Sequence, residues 1–169
     1  EIFTKLISRH THVFGAEKAA SAEEALSSWE KNKKKEKDLK TYTDVLEDVP
    51  HGLPALMRAE KVQKKAASAG FDWEDVSGVL NKISEEVVEV KAAQTSDEIA
   101  EEYGDLLFSV VNLGRFLKVT PEVELANATN KFIRRFAGME KLAEDSGKEF
   151  AALSPEEMDD LWKKAKRKS

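Results

Sequence analysis

Apolar side chains return every three or four positions between residues 73 and 146, and very little interrupts them. That period suits helices rather than strands. It predicts helices at 73–93, 97–118 and 121–146, and the same spacing predicts others at 1–9, 21–36, 53–69 and 155–167. Only eight glycines and four prolines occur in 169 residues. Ser21 with Glu24, and Ser154 with Glu157, have the spacing of capping boxes. Pro155 suits a first helical position. The stretch 39–52, with Pro50 and Gly52, reads as a linker. Seven helices without a convincing strand predict an all-α fold, a helical bundle.

Composition narrows the function. A chain that is 41% hydrophobic and 35% charged has the balance of a globular domain with a heavily charged surface. Its net charge of −5 disfavours nucleic acid as a partner. With no cysteine, disulfides and thiolate chemistry are excluded, and a reducing, cytoplasmic setting fits. No apolar run is long enough to span a bilayer, so no membrane role is expected.

Two pairs of segments repeat. TKLISRH (4–10) matches NKFIRRF (130–136), aligning Lys5 with Lys131 and Arg9 with Arg135. SAEEALSSWEKNK (21–33) matches SPEEMDDLWKKAK (154–166), aligning Trp29 with Trp162 and Lys33 with Lys166. Chance likeness of two capped amphipathic helices is one explanation. The other is an internal repeat, in which 1–38 is the tail of a first, incomplete copy, 39–52 the linker and 53–169 a complete domain. The chain begins at Glu1 rather than Met, as expected if the first copy's acidic helices lie upstream.

Chemistry concentrates on two successive helices. On a wheel of about 100° per residue, the 97–118 helix has a stripe of Ile99, Tyr103, Leu106, Val110, Leu113 and Leu117. Glu102 borders it, Asp105 lies one step further round, and Glu101 falls away. In 73–93 the stripe is Val76, Val79, Leu80, Ile83, Val87 and Val90. Glu86 borders this one, Glu89 shares its flank, and Glu85 lies nearly opposite. The connection near Gln94–Asp97 is short, which predicts antiparallel packing. Glu86 and Glu89 can then face Glu102 and Asp105.

Unit charges ~6 Å apart at an effective dielectric of ~20 repel by roughly 3 kcal/mol per pair. Four converging carboxylates therefore call for cations or protons. Oxygen-only ligands suit Mg²⁺, Mn²⁺ or Ca²⁺. The three histidines are outside any Glu-x-x-His pattern, which disfavours a di-iron bundle. A solvated acidic face is the competing explanation.

Lys131 and Arg135 flank the stripe of the 121–146 helix together, while Arg134 points elsewhere. Beside a polyacidic metal cluster they suit a phosphate chain, and as surface residues their stems would cover core. Trp162 with Lys166, at i and i+4, can stack a base and reach phosphate, or simply anchor the C-terminal helix. Lys82, one turn before Glu86, can pair with it or meet a phosphate. Asn112 is either a ligand-positioning amide or a structural one. No Gly-rich phosphate loop and no Ser, Cys or His nucleophile constellation stands out.

The segments LPALMRAEKVQKKAASAGFDW (53–73), EEVVE (85–89), EEYGDLLFSVVNLGR (101–115), NKFIRRF (130–136) and MDDLWKKAK (158–166) closely resemble the C-terminal domain of the MazG family of nucleoside triphosphate pyrophosphohydrolases. RHTHVFG (9–15) and the capped tryptophan helix resemble the end of that family's N-terminal domain. The E-x-x-E and E-x-x-D pairs characterise the wider all-α NTP pyrophosphatase group. Val88 and Tyr103 depart from the usual pattern, and neither is a proposed ligand. The resemblance implies that Glu86, Glu89, Glu102 and Asp105 hold Mg²⁺, with Mn²⁺ a substitute, and carry catalysis. It implies a nucleotide site of Lys82, Glu85, Glu101, Lys131, Arg134, Arg135, Trp162 and Lys166. It further implies a homodimer with sites near the subunit interface, and conversion of NTP or dNTP to NMP or dNMP plus pyrophosphate, serving nucleotide-pool housekeeping. In that scheme activated water attacks the α-phosphorus, and Glu85 or Glu101 is available to take its proton. Two rivals remain at this level: a non-catalytic nucleotide-sensing bundle, and an interaction module with acidic helical faces.

Overall fold

The computed structural model describes residues 2–9, 11–14, 21 and 39–168. The expected 21–36 helix, with its Ser21–Glu24 cap, Trp29 and Lys33, lies outside the described residues apart from Ser21. The described residues are helical, with no strand among them: α1 (Ile2–Arg9), α2 (Thr11–Phe14), α3 (Tyr42–Glu47), α4 (Ala55–Ser68), α5 (Val76–Ala92), α6 (Ser96–Phe116), α7 (Pro121–Asp145) and α8 (Pro155–Lys168), with a 3₁₀ turn at Phe150–Ala152. No helix among them is long and apolar enough to cross a membrane. The chain divides into two compact units, 1–53 with 61–73, and 54–60 with 74–169.

In the first unit, the segment read as a linker contains α3. Thr41 caps it, accepting from the Asp44 backbone N–H at 3.0 Å, while the Asp44 carboxylate accepts from the Thr41 N–H at 2.8 Å. Pro50 and Gly52 marked the end of this helix rather than an irregular segment, and Val49 just before them is buried.

The second unit is built from two helical hairpins. In the first, α5 and α6 pack along their lengths, joined by only 93–95. Asp75 caps α5, accepting from the Ser77 and Gly78 N–H groups. Thr95 and Glu98 form a reciprocal capping box at α6: Glu98 accepts from the Gln94 and Thr95 N–H groups at 2.9 and 3.1 Å. Those bonds, the Gln94 N–H first, hold the Glu98 carboxyl below its usual range. Caps of this kind fix where each helix starts, and so the register in which the hairpin closes.

The second hairpin pairs α7 with α8. The Ser154–Glu157 box appears as the sequence predicts, with bonds of 2.9 and 3.2 Å, and Lys148 adds an ion pair to Glu157. Lys148 first, and then the Ser154 N–H, pull the Glu157 carboxyl down to about 2. Met139, Ala143, Leu153 and Ala165 form the buried seam. A Cβ on Gly138 would sit 3.4 Å from that of Ala165, so small residues let the helices approach closely.

Which faces are buried differs from the wheel reading. On α6 the buried positions are Ser109, Val111 and Gly114, and Leu106 and Leu113 are half-buried. Ile99, Tyr103, Val110 and Leu117 of the expected stripe are exposed. On α5, Val79 is buried while Val76 and Leu80 are exposed. Both helices carry apolar residues on more than one side, and the 3.6-residue period cannot say which side the hairpin partner takes.

The α6–α7 corner is tight. The Val119 N–H reaches back to the Gly114 carbonyl at 3.0 Å and the Lys118 N–H to that of Arg115 at 3.3 Å, the Schellman pattern. Lys118 carries the left-handed turn residue, at φ 58°. The equivalent residue after α7 is Gly147, at φ 68°. A non-glycine residue there costs about 1 kcal/mol. Lys118→Gly is therefore expected to raise stability by about 1 kcal/mol, or some 2–4 °C in melting temperature. An unchanged or lower Tm would show that Lys118 compensates for its strain through its side chain.

Candidate metal and nucleotide site

Glu86 and Glu89 lie at i and i+3 on α5, and Glu102 stands on α6 beyond the short loop. One carboxylate oxygen from each falls within 4.8 Å of the others, a grouping that can hold a metal ion. Glu86 is 2% exposed and is the most buried charged residue among those described. One of its oxygens meets the Lys82 ammonium at 2.7 Å. The other, Oε2, is buried with no hydrogen-bond partner. An orphaned buried carboxylate oxygen is costly unless a cation completes it. The donor set, all carboxylate oxygen, fits a hard divalent ion.

Lys82 touches more than Glu86. It donates to Glu85 at 2.7 Å and stands 3.9 Å from Glu89. Glu85 and then Glu86 hold its ammonium above the usual lysine range. Across the hairpin, Glu102 is half-buried and its carboxyl is pushed up, by partial burial first, then by the charges of Glu89, Glu86, Glu101 and Asp105. Burial is the larger cause of that upward shift, and the neighbouring acids add to it. Asp105 contributes to the field but stays exposed and outside the three-acid grouping. Glu85 and Glu101 are exposed.

The basic and aromatic candidates occupy the other hairpin. Lys131 and Arg134 are exposed on α7, and Lys166 is exposed on α8. Arg135 lies over the Trp162 ring, 5.9 Å from its centroid. The Trp162 ring is 5.2 Å from that of Phe132, which stacks 6.2 Å from Phe136. Phe136 meets Phe150 edge-on at 5.2 Å. Phe132 is 55% exposed, and its ring extends the Trp162 surface. Its i+3 spacing from Arg135 was the available signal for that cluster. Asn112 accepts from the Arg115 Nε–H at 3.1 Å, which gives its amide a structural partner.

The phosphoribosyl-ATP pyrophosphohydrolase family profile matches residues 53–132, the stretch that contains Glu86, Glu89, Glu102 and Asp105. A Thermotoga maritima protein named nucleoside triphosphate pyrophosphohydrolase/pyrophosphatase MazG is 46% identical over 162 residues, covering 96% of this chain and 62% of its own length. An Escherichia coli protein named nucleoside triphosphate pyrophosphohydrolase is 40% identical over 171 residues, covering 98% of this chain and 65% of its own length. The chain is similar to a MazG protein along nearly its whole length. The uncharacterized protein YabN of Bacillus subtilis is 44% identical over 169 residues, which is 34% of that longer protein. The chain thus spans less than two thirds of the length of these relatives. The all-α fold expected from spacing is the fold observed.

Proposed function

We propose that this chain is a divalent-metal-dependent nucleoside triphosphate pyrophosphohydrolase, cleaving NTP or dNTP to NMP or dNMP and pyrophosphate. The observation that carries the proposal is Glu86: a buried carboxylate with one oxygen unpartnered, grouped with Glu89 and Glu102. The names of the Thermotoga maritima and Escherichia coli relatives point to the same reaction. In this reading 53–169 is the catalytic domain, 39–52 joins it to what precedes, and 1–38 is the tail of another copy.

Glu86, Glu89 and Glu102 would hold Mg²⁺, or Mn²⁺ in its place, with Asp105 reaching in from the adjoining turn. A divalent ion there supplies Lewis-acid polarisation of the phosphoryl group and a lower pKa for attacking water. The chain's own residues do the rest. Lys131 and Arg135 offset charge developing on the phosphoryl oxygens, Lys131 as a point charge and Arg135 as a fork. Arg134 and Lys166 add positive potential along the triphosphate. Trp162, packed on Phe132, offers a ring surface for a base, and a stacking surface tolerates any base. Glu85 or Glu101 would accept the proton that water loses.

The homodimer belongs to this proposal as well. Ile99, Tyr103, Leu107, Phe108 and Val110 on α6, with Val123, Leu125 and Ile133 on α7, are large apolar side chains exposed in the single chain. Exposure on this scale is typical of an interaction surface, and a second copy would cover it.

A panel of NTPs and dNTPs, with and without Mg²⁺, tests the proposal. The expected products are the monophosphate and pyrophosphate, formed only with metal. Diphosphate and orthophosphate, or metal-independent turnover, would contradict it. Binding without turnover would point to nucleotide sensing instead.

A further inference from the structure

Lys82 is placed to do something that phosphate binding alone does not explain. Its ammonium sits inside the acid group, 2.7 Å from Glu85 and 2.7 Å from Glu86, with Glu89 at 3.9 Å. Two of these acids are the α5 ligands of the proposed metal. Glu86 is almost wholly buried, so its charge has few other cations to turn to. The Lys82 side chain is about one-third exposed and flexible, so it has an open path to leave.

We propose that Lys82 is a resident counter-ion that the metal must displace, and that the displaced ammonium is taken up by the triphosphate, so that metal and nucleotide bind cooperatively. This rests on the metal-site reading above and extends it to the order of loading. A divalent ion approaching Glu86 and Glu89 meets a positive charge already at its ligands. Displacing Lys82 without a new anion leaves an ammonium beside the metal, an unfavourable like-charge contact. A triphosphate arriving with the metal removes that cost, because its oxygens accept the Lys82 N–H groups. Free metal is therefore held weakly, and metal–nucleotide strongly. The coupling is reciprocal: each ligand raises affinity for the other by the same factor. The reading also reconciles two roles for one lysine, partner of Glu86 at rest and partner of phosphate when loaded.

The test is Mn²⁺ binding to the full chain, followed by electron paramagnetic resonance and calorimetry, with and without α,β-methylene-ATP as an uncleaved nucleotide. For the unaltered protein the analogue is expected to tighten Mn²⁺ binding. In Lys82→Met, Mn²⁺ alone is expected to bind about tenfold tighter, within the usual range of such couplings, and the gain from the analogue is expected to shrink. Lys82→Gln, which keeps a hydrogen bond to Glu86 without the charge, should behave alike and supplies the comparison if the methionine variant does not fold. Lys82→Arg, which keeps the charge, should retain weak binding of free metal. If neither neutral variant binds Mn²⁺ more tightly, Lys82 merely supports the acids and the exchange is overturned, while the metal site stands. If the unaltered protein binds no Mn²⁺ even with the analogue, the metal-site reading fails and takes this inference with it.

Discussion

Glu86→Gln is expected to lower NTP hydrolysis by roughly 10³-fold or more, the scale of losing a metal that stabilises transition-state charge. The substitution preserves shape and removes only charge. Glu86 is buried against its neighbours, with Oε2 orphaned and Glu89 and Glu102 within ligand-sharing distance. A neutral amide cannot replace the second carboxylate oxygen as a metal ligand, and its NH₂ would point a donor where the cation should sit. In the metal-free fold two effects oppose one another: a repelling acid is removed, and the 2.7 Å Lys82–Glu86 ion pair is lost with it. The diagnostic readout is the increase in melting temperature on adding Mg²⁺, which should disappear. Glu102→Gln should act in the same way from the other side of the hairpin. A Glu86→Gln protein with unimpaired turnover, or with an undiminished metal-dependent rise in Tm, would remove Glu86 from the site.

Gly114→Val is expected to cost about 3 kcal/mol, because overpacking a tight contact costs ~1–3 kcal/mol and a branched side chain takes the upper end. A Cβ at position 114 would stand 2.7 Å from Pro121 Cγ and 3.3 Å from its Cδ. The proline ring is rigid and opens α7, so it cannot turn aside. The corner is further tied by the Val119 N–H to Gly114 carbonyl bond at 3.0 Å. Gly114→Ala is milder, since alanine's better helix propensity recovers ~1 kcal/mol of the strain. For a chain of this length the valine variant should melt about 6–12 °C lower. The corner joins the hairpin with the acids to the hairpin with Lys131, Arg135 and Trp162, so activity should fall even where the fold survives. A valine variant as stable as the parent would show that the α6–α7 turn opens freely.

The helices were legible because their signals are local. Pro155 and the Ser154–Glu157 box fixed the start of α8, and the short loop at 93–95 set the α5–α6 pairing. The helix at Tyr42–Glu47 was missed because Asp44 fills the capping position where Glu or Gln is the usual cue. The burial of Glu86 was not legible either. On a wheel it borders an apolar stripe, and only the packing of α6 across it decides that it is buried. The same holds for Phe132, whose exposed ring beside Trp162 depends on how α8 crosses α7. A period shows which residues share a face, but the partner helix chooses among the faces. Lys82 was visible as a partner of Glu86, one turn away. Its simultaneous contacts with Glu85 and Glu89 depend on side-chain placement that spacing does not specify.

The most direct measurement is hydrolysis of ATP with Mg²⁺ in ¹⁸O-labelled water, followed by phosphorus NMR and mass spectrometry of both products. Attack at the α-phosphorus, as the proposed reaction requires, puts the label in AMP and leaves the pyrophosphate unlabelled. Label in pyrophosphate, or release of labelled orthophosphate, would contradict the account.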